Sequence, residues 1–180
     1  QKLITEALNK QLEETGRVRA IILKARQQGI STYCAARVFW KTYFTPYSKS
    51  VVMAHDAATS DALFSMSRNI IENMPDSFRP TLQKSNAKEI LFEENKSGYR
   101  LYTAGAPEAG RGTTPTIAHL SEVGFWTHDE KILAGLFQGI PQADGTEVIL
   151  ESTANGASGE FWRLFQGALN GENEYIPIFI

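Results

Sequence analysis

The stretch KARQQGIST, residues 24–32, decides how the rest of the chain is read. It follows the apolar run AIIL (20–23) and precedes YCAARVFWKTYF (33–44). An apolar run, a tight turn with a glycine, Ser-Thr and a helical pattern form the layout of a phosphate-holding loop. Such a loop works because backbone N–H groups around the turn and at the helix N-terminus point at the anion. A cation neutralises the outer phosphates, and a Ser or Thr hydroxyl serves Mg²⁺. Here Gly29 supplies the turn, Ser31 the hydroxyl and Thr32 the helix start. The usual first glycine is Lys24, and the usual lysine before Ser-Thr is Ile30. Cations stand instead at the other end of the loop, as Lys24 and Arg26. A guanidinium grips phosphate oxygens in pairs, whereas an ammonium acts as a point charge. The same two residues also read as solvated cations of an ordinary strand-to-helix turn, and the loop alone does not separate the readings.

The flanking pattern places this loop in an alternating chain. Residues 1–14 have helical spacing, with Leu3, Ala7, Leu8, Gln11 and Leu12, and Gly16 ends them. VRAIIL (18–23) is a short apolar strand, and Ser31 to about Thr45 a helix closed by Pro46. SVVMA (50–54) is a strand and Thr59–Asn73 a helix; residues 76–88 read as a polar loop. EILFEENKSGYRLYTA (89–104) reads as a hairpin turning at NKSG. Strands follow at TIAHLS (116–121), EVILES (147–152) and YIPIFI (175–180), with helices at 129–140 and 159–169. Pro177 argues for an edge or a strand start in the last of these. Apolar strands alternating with helices predict an α/β fold, a mostly parallel sheet covered on both faces with an added antiparallel hairpin. Right-handed crossovers then put the strand-to-helix loops at the carboxyl edge of the sheet, where such folds bind ligands.

Composition narrows the classes. With 180 residues, 42% hydrophobic and 21% charged, the chain has the length and makeup of one globular domain. A net charge of −2 excludes a bulk-basic nucleic-acid coat, so any DNA contact needs a local stripe or an assembly of copies. No apolar stretch reaches membrane-spanning length. The single Cys34 forms no internal disulfide, which points to a reducing compartment, and its helical setting makes it a packing residue. The chain opens inside a helical pattern and stops on an apolar run, as a domain cut from a longer protein does. Residues His55, His119 and His128 have no zinc-ligand spacing with Cys34, and no Gly-x-Ser-x-Gly elbow occurs.

Three further segments carry chemistry. IAHLSEVGFW (117–126) is a strand ending in Ser121-Glu122, where nucleotide hydrolases keep Asp-Glu. Glu122 suits a water-activating carboxylate and equally a helix-start carboxylate; Ser121 offers Mg²⁺ only a hydroxyl. Phe125 and Trp126 read as core or as a stacking platform. ESTANG (151–156) ends the next strand, with small polar residues able to sense a γ-phosphate, or with a plain Asn-Gly turn. GRGTT (110–114) puts Arg111 between glycines, as an arginine finger or a solvated loop cation.

In this order, KARQQGIST, AHDAATSDALF (54–64), GRGTTPTIAHLSEVGFW (110–126) and ILESTANG (149–156) resemble the ATPase domain of the large terminase subunit of tailed bacteriophages, the motor that packages DNA into proheads. The resemblance implies a P-loop NTPase fold of the ASCE type over residues 1–180, with ATP and Mg²⁺ as cofactors. It implies that Lys24 and Arg26 contact phosphates, within a loop formed by Gln27, Gln28, Gly29, Ile30, Ser31 and Thr32. Ser31, with Ser121, would serve the metal; Glu122 would be the catalytic carboxylate, assisted by Arg26 and by Arg111 from a neighbouring subunit. Ser152, Thr153 and Ala154 match a coupling motif, and Gln1 resembles an adenine-reading glutamine. Implied partners are double-stranded DNA, the portal protein, the small terminase subunit and further copies in a ring, with a monomer in isolation and no membrane. The implied location is the host bacterial cytoplasm. The C-terminal nuclease domain of such proteins lies outside this sequence. Ile30 and Ser121 depart from the family pattern. A helicase-type ATPase and a non-hydrolysing capsid-assembly scaffold with a degenerate loop are the alternative readings.

Overall fold

The computed structural model describes residues 1–105 and 114–180, so the expected finger Arg111 lies outside the described residues. Eight strands form one sheet: β1 (Val18–Leu23), β2 (Lys49–Ala54), β3 (Leu82–Ser85), β4 (Glu89–Phe92), β5 (Gly98–Thr103), β6 (Ile117–Ser121), β7 (Glu147–Ser152) and β8 (Ile176–Phe179). Their order across the sheet is β3-β4-β5-β2-β6-β7-β1-β8. From β5 to β8 every pairing is parallel, while β4 pairs antiparallel with both β3 and β5. The predicted mostly parallel α/β sheet is therefore the observed one.

Among the described residues, five helices cover the sheet: α1 (Lys2–Thr15), α2 (Ile30–Phe44), α3 (Ala57–Glu72), α4 (Asp129–Gly139) and α5 (Gly159–Leu169). On one face, Ile4 and Leu8 of α1 and Cys34 of α2 pack on Ala20, Ile22 and Ile149. Farther along that face, Val38 and Phe39 of α2 and Leu63 and Phe64 of α3 pack on Val52, Ala54 and Tyr99. On the opposite face, Leu133 and Leu136 of α4 and Phe161 and Phe165 of α5 meet Ile21, Met53, Leu120 and Leu150. Burial on both faces explains why the central strands read as unbroken apolar runs rather than as alternating ones. Cys34 is wholly buried and its thiol is pushed up by that burial, as a packing residue should be.

Two expectations need correction. Residues 76–88 are not merely a loop: they hold a 3₁₀ turn (Asp76–Phe78) and the edge strand β3. The segment LQKS is mostly exposed and carries no apolar alternation, so only pairing with β4 makes it a strand. The 89–104 hairpin is also more than an addition, because its second arm β5 pairs in parallel with β2 and joins the main sheet. Pro177 does sit on an edge strand, since β8 pairs with β1 alone.

Register fixes what meets at the carboxyl edge. Leu23 of β1 is level with Ser152 of β7, and Glu151 of β7 is level with Ser121 of β6. The residues that follow these strand ends therefore converge on one rim.

Candidate functional site

The loop between β1 and α2 is a tight turn, with left-handed backbone at Gln27 (φ 59°) and Gly29 (φ 68°). Gly29 caps α2 by position only, with no side-chain cap on the first N–H groups of the helix. The first N–H groups of α2 are thus left for another acceptor, the arrangement that suits an anion. The helix begins at Ile30, two residues before Thr32. Ile30 is 2% exposed and packs with Ile22 and Cys34, so its side chain pins the loop to the core and has no place among the charges. Arg26, Gln27, Gln28, Gly29 and Thr32 are exposed on the outer side. Gln1 lies against the loop: a Cβ on Gly29 would stand 3.4 Å from its Nε2.

Behind the loop, one ammonium gathers three oxygens. Lys24 Nζ donates to Ser31 Oγ (2.9 Å) and lies 3.0 Å from Glu122 Oε1 and 2.6 Å from Glu151 Oε2. Burial works against the lysine's charge, but the carboxylates of Glu151 and Glu122 outweigh it and hold its pKa above the usual value. Glu151 is fully buried. Burial alone would raise its pKa, yet His119, 3.3 Å from Oε1, and Lys24 bring it down to about 2. Nε2 of His119 faces the Glu151 carboxylate, which only accepts, so Nε2 is the donor in that contact, and among the described residues Nδ1 has no partner.

Glu122 sits just past β6 in left-handed backbone (φ 53°), a conformation costing a non-glycine residue about 1–3 kcal/mol and typical of functional positions. Its second oxygen, Oε2, accepts from the Thr153 amide (3.0 Å) and the Thr153 hydroxyl (3.1 Å). The hydroxyl of Ser152 accepts from the Gly124 amide (3.1 Å), and Asn155 Nδ2 donates to the Gly124 carbonyl (2.8 Å). The segment after β7 therefore clasps the segment after β6 through both side chains and backbone. Ala154 is exposed and adds no contact to this clasp. Ser121 is 1% exposed, and its carbonyl accepts from the Trp126 indole.

A cleft of about 380 Å³ opens on these groups, lined by Lys24, Arg26, Gln27, His55, Glu122 and Phe125, among others. Trp126 is core, whereas Phe125 is 38% exposed and faces the cleft. A larger cavity, about 430 Å³, lies at the amino edge of the sheet beside Lys49, Tyr99 and Pro115. Its charged lining is Lys49, Lys96 and the half-exposed Arg100 paired with Glu89, and among the described residues no helix N-terminus opens on it, whereas the smaller cleft lies at the N-terminus of α2.

Comparison with known proteins bears on the fold. No family model matches the sequence. The HK97 bacteriophage large terminase superposes with a TM-score of 0.75 at 14% identity, over 96% of this chain and 37% of that one. The Thermus phage P74-26 large terminase ATPase domain gives 0.68 at 18% identity, over 94% of this chain and 78% of that one. The fold is that of a large-terminase ATPase domain. The large terminase of the thermophilic bacteriophage D6E, in complex with ADP, gives 0.65 at 13% identity, over 94% and 41%. The chain thus spans about two fifths of the whole large terminases it matches and most of the separate ATPase domain.

Within this terminase ATPase fold, the structure brings together Lys24, Ser31, Glu122, Ser152 and Thr153, with Arg26 and Gln27 on the cleft wall. The structure adds Glu151, His119 and His55 to this neighbourhood, none of which the sequence pointed to. Glu151 stood inside ESTANG, but nothing in a lone Glu at a strand end signals full burial beside a lysine from a neighbouring strand. Ser31 Oγ and the two carboxylates around Lys24 are hard oxygen donors, a set that fits Mg²⁺.

Proposed function

We propose that this chain is the ATP-hydrolysing domain of a motor that moves double-stranded DNA into a viral prohead. The observation that carries the reading is Glu122, held between Lys24 of the phosphate-type loop and Thr153 of the following strand, at the mouth of the cleft. The fold shared with large-terminase ATPase domains supports it, as does the ADP held by the D6E terminase.

In this reading the α2 N-terminus and Arg26 receive the phosphates, and Gln1 reads the base. The Ser31 hydroxyl would be among the groups that hold Mg²⁺, which would supply charge neutralisation for the phosphate oxygens. Both oxygens of Glu122 are engaged in the structure, one by Lys24 and one by Thr153. A polyphosphate competes with Glu122 for the Lys24 ammonium. Oε1 then becomes free to orient and deprotonate a water attacking the γ-phosphorus, giving ADP and phosphate. Thr153 keeps its hold on Oε2, so a change at Glu122 reaches the 152–155 segment directly; this is the coupling role proposed for Ser152, Thr153 and Ala154. Arg111 of an adjacent copy is proposed as the finger, in a homomeric ring that meets the portal protein and the small terminase subunit in the host cytoplasm.

The test is Glu122→Gln. ATP turnover should fall about 10²–10⁴-fold while ATP binding by calorimetry is retained. Unchanged turnover would sink the assignment. A helicase-type ATPase differs in separating strands, which a duplex-unwinding assay reads. The scaffold reading predicts no binding at millimolar Mg-ATP.

A further inference from the structure

Ser121 and Glu151 are direct partners on β6 and β7, so their side chains belong to one face of the sheet. Where position 121 offers a hydroxyl instead of a carboxylate, the adjacent strand carries a carboxylate at the level position. A Glu is one methylene longer than an Asp, which extends its reach across the strand spacing of about 4.8 Å. Its surroundings match the part. Glu151 is completely buried, and its Oε2 lies 2.6 Å from the ammonium that also holds the Ser31 hydroxyl at 2.9 Å.

Charge and hydrogen bonding both leave room for a cation here. Two carboxylates, Glu122 and Glu151, share the single ammonium of Lys24. Among the described residues, Oε1 of Glu151 has the His119 imidazole, and Oε2 has the Lys24 ammonium alone, at 2.6 Å. A buried carboxylate oxygen with a single cationic partner becomes costly when that partner leaves, unless another cation takes its place. When phosphates draw Lys24 away, the oxygen set of Ser31, Glu122 and Glu151 loses its cation.

We propose that Glu151 is the carboxylate that serves Mg²⁺ in this site, the part left vacant by Ser121. The inference rests on the nucleotide-hydrolase reading and adds a residue to it. The competing role for Glu151 is to position Lys24 and nothing more.

The experiment is a Mn²⁺ titration of the ADP complex, followed by the electron paramagnetic resonance signal of free Mn²⁺. ADP affinity is measured separately in EDTA. Glu151→Gln keeps the shape of the side chain and should weaken Mn²⁺ binding about 10–100-fold, with metal-free ADP affinity little changed. The double change Ser121→Asp with Glu151→Gln returns a carboxylate to the neighbouring strand and should restore most of the lost Mn²⁺ affinity. Unchanged Mn²⁺ affinity in Glu151→Gln overturns the proposal. So does a loss confined to metal-free ADP affinity, which would make Glu151 a positioning residue for Lys24. Absence of ADP binding by the wild-type chain, with or without Mn²⁺, overturns instead the nucleotide reading beneath it.

Discussion

Glu147 and Glu151 lie four residues apart on β7, on the same face, and both side chains are 0% exposed. At the amino end of the strand, Glu147 is gripped by Arg37 through two bonds of 2.8 and 3.0 Å and approached by Lys41 at 3.0 Å. At the carboxyl end the ratio inverts: Glu151 and Glu122 divide one lysine, with His119 alongside. One end is a closed ion cluster, with two cations on one carboxylate. The other has more carboxylate oxygens than fixed cations and sits behind the N-terminus of α2. Burial alone therefore does not mark a functional acid. The two ends of β7 share strand, face and exposure and differ in their partners: cations are in surplus around Glu147, and carboxylate oxygens are in surplus around Glu151, at the end that carries the proposed site.

The comparison can be broken by mutation. Glu147→Ala leaves Arg37 and Lys41 without their shared partner. Because Lys41 is 25% exposed, the loss of stability should fall near the lower end of the range for broken buried pairs, about 3 kcal/mol. Chemical denaturation measures it, and ADP affinity of the folded protein should be unchanged. If Glu147→Ala weakens ADP as well, the two ends are not independent.

Lys24→Met tests the other end. It removes a charged contact proposed for the phosphates and should cost about 1.5–3 kcal/mol of nucleotide binding by calorimetry. The matched change Arg37→Met should leave that binding unmoved. Equal effects of the two would remove the distinction drawn between the clusters.

Acid sharpens the contrast. The pKa of Glu151 is depressed from the ordinary 4.5 to about 2. Its stabilisation is fully present above about pH 4.5 and is lost as pH falls toward 2. Wild type and Glu151→Gln should therefore differ most in denaturation midpoint near neutral pH and converge in acid. A gap that stays constant from pH 6 to about 2.5 would mean that Glu151 is not held by its cations.

The smallest effect is expected at Gly124. A Cβ there would stand 2.9 Å from Ser152 Oγ, so Gly124→Ala should disturb the bond between the Gly124 amide and Ser152. A stability loss of about 1 kcal/mol is expected, with slower ATP turnover and unaltered ADP affinity. Turnover equal to wild type would show that the clasp around Glu122 does not tune it.

How much of this was legible in the chain depends on the interaction concerned. The strands VRAIIL, SVVMA and EVILES announced themselves because strands buried on both faces must be apolar along their length. Lys24, Ser31 and Glu122 could be picked out as candidates because loop chemistry is local: Lys24 and Glu122 directly follow strand ends, and Ser31 lies in the first turn of α2. LQKS was not, since an exposed edge strand has no burial pattern to leave in the sequence. Ile30 looked like a missing lysine, and only its packing against Ile22 and Cys34 shows why an apolar residue stands there.

Sequence by itself determined the alternation of strands and helices, the phosphate-type loop and the candidate carboxylate at its distant partner strand. Those follow from periodicity and from local backbone demands. Only the tertiary structure decided that β7 lies between β1 and β6, level with both. That register brings Ser31, Glu122 and Glu151 around the ammonium of Lys24, from three separate segments of the chain. Contact between strands is set by pairing order across the sheet, which no stretch of residues encodes on its own.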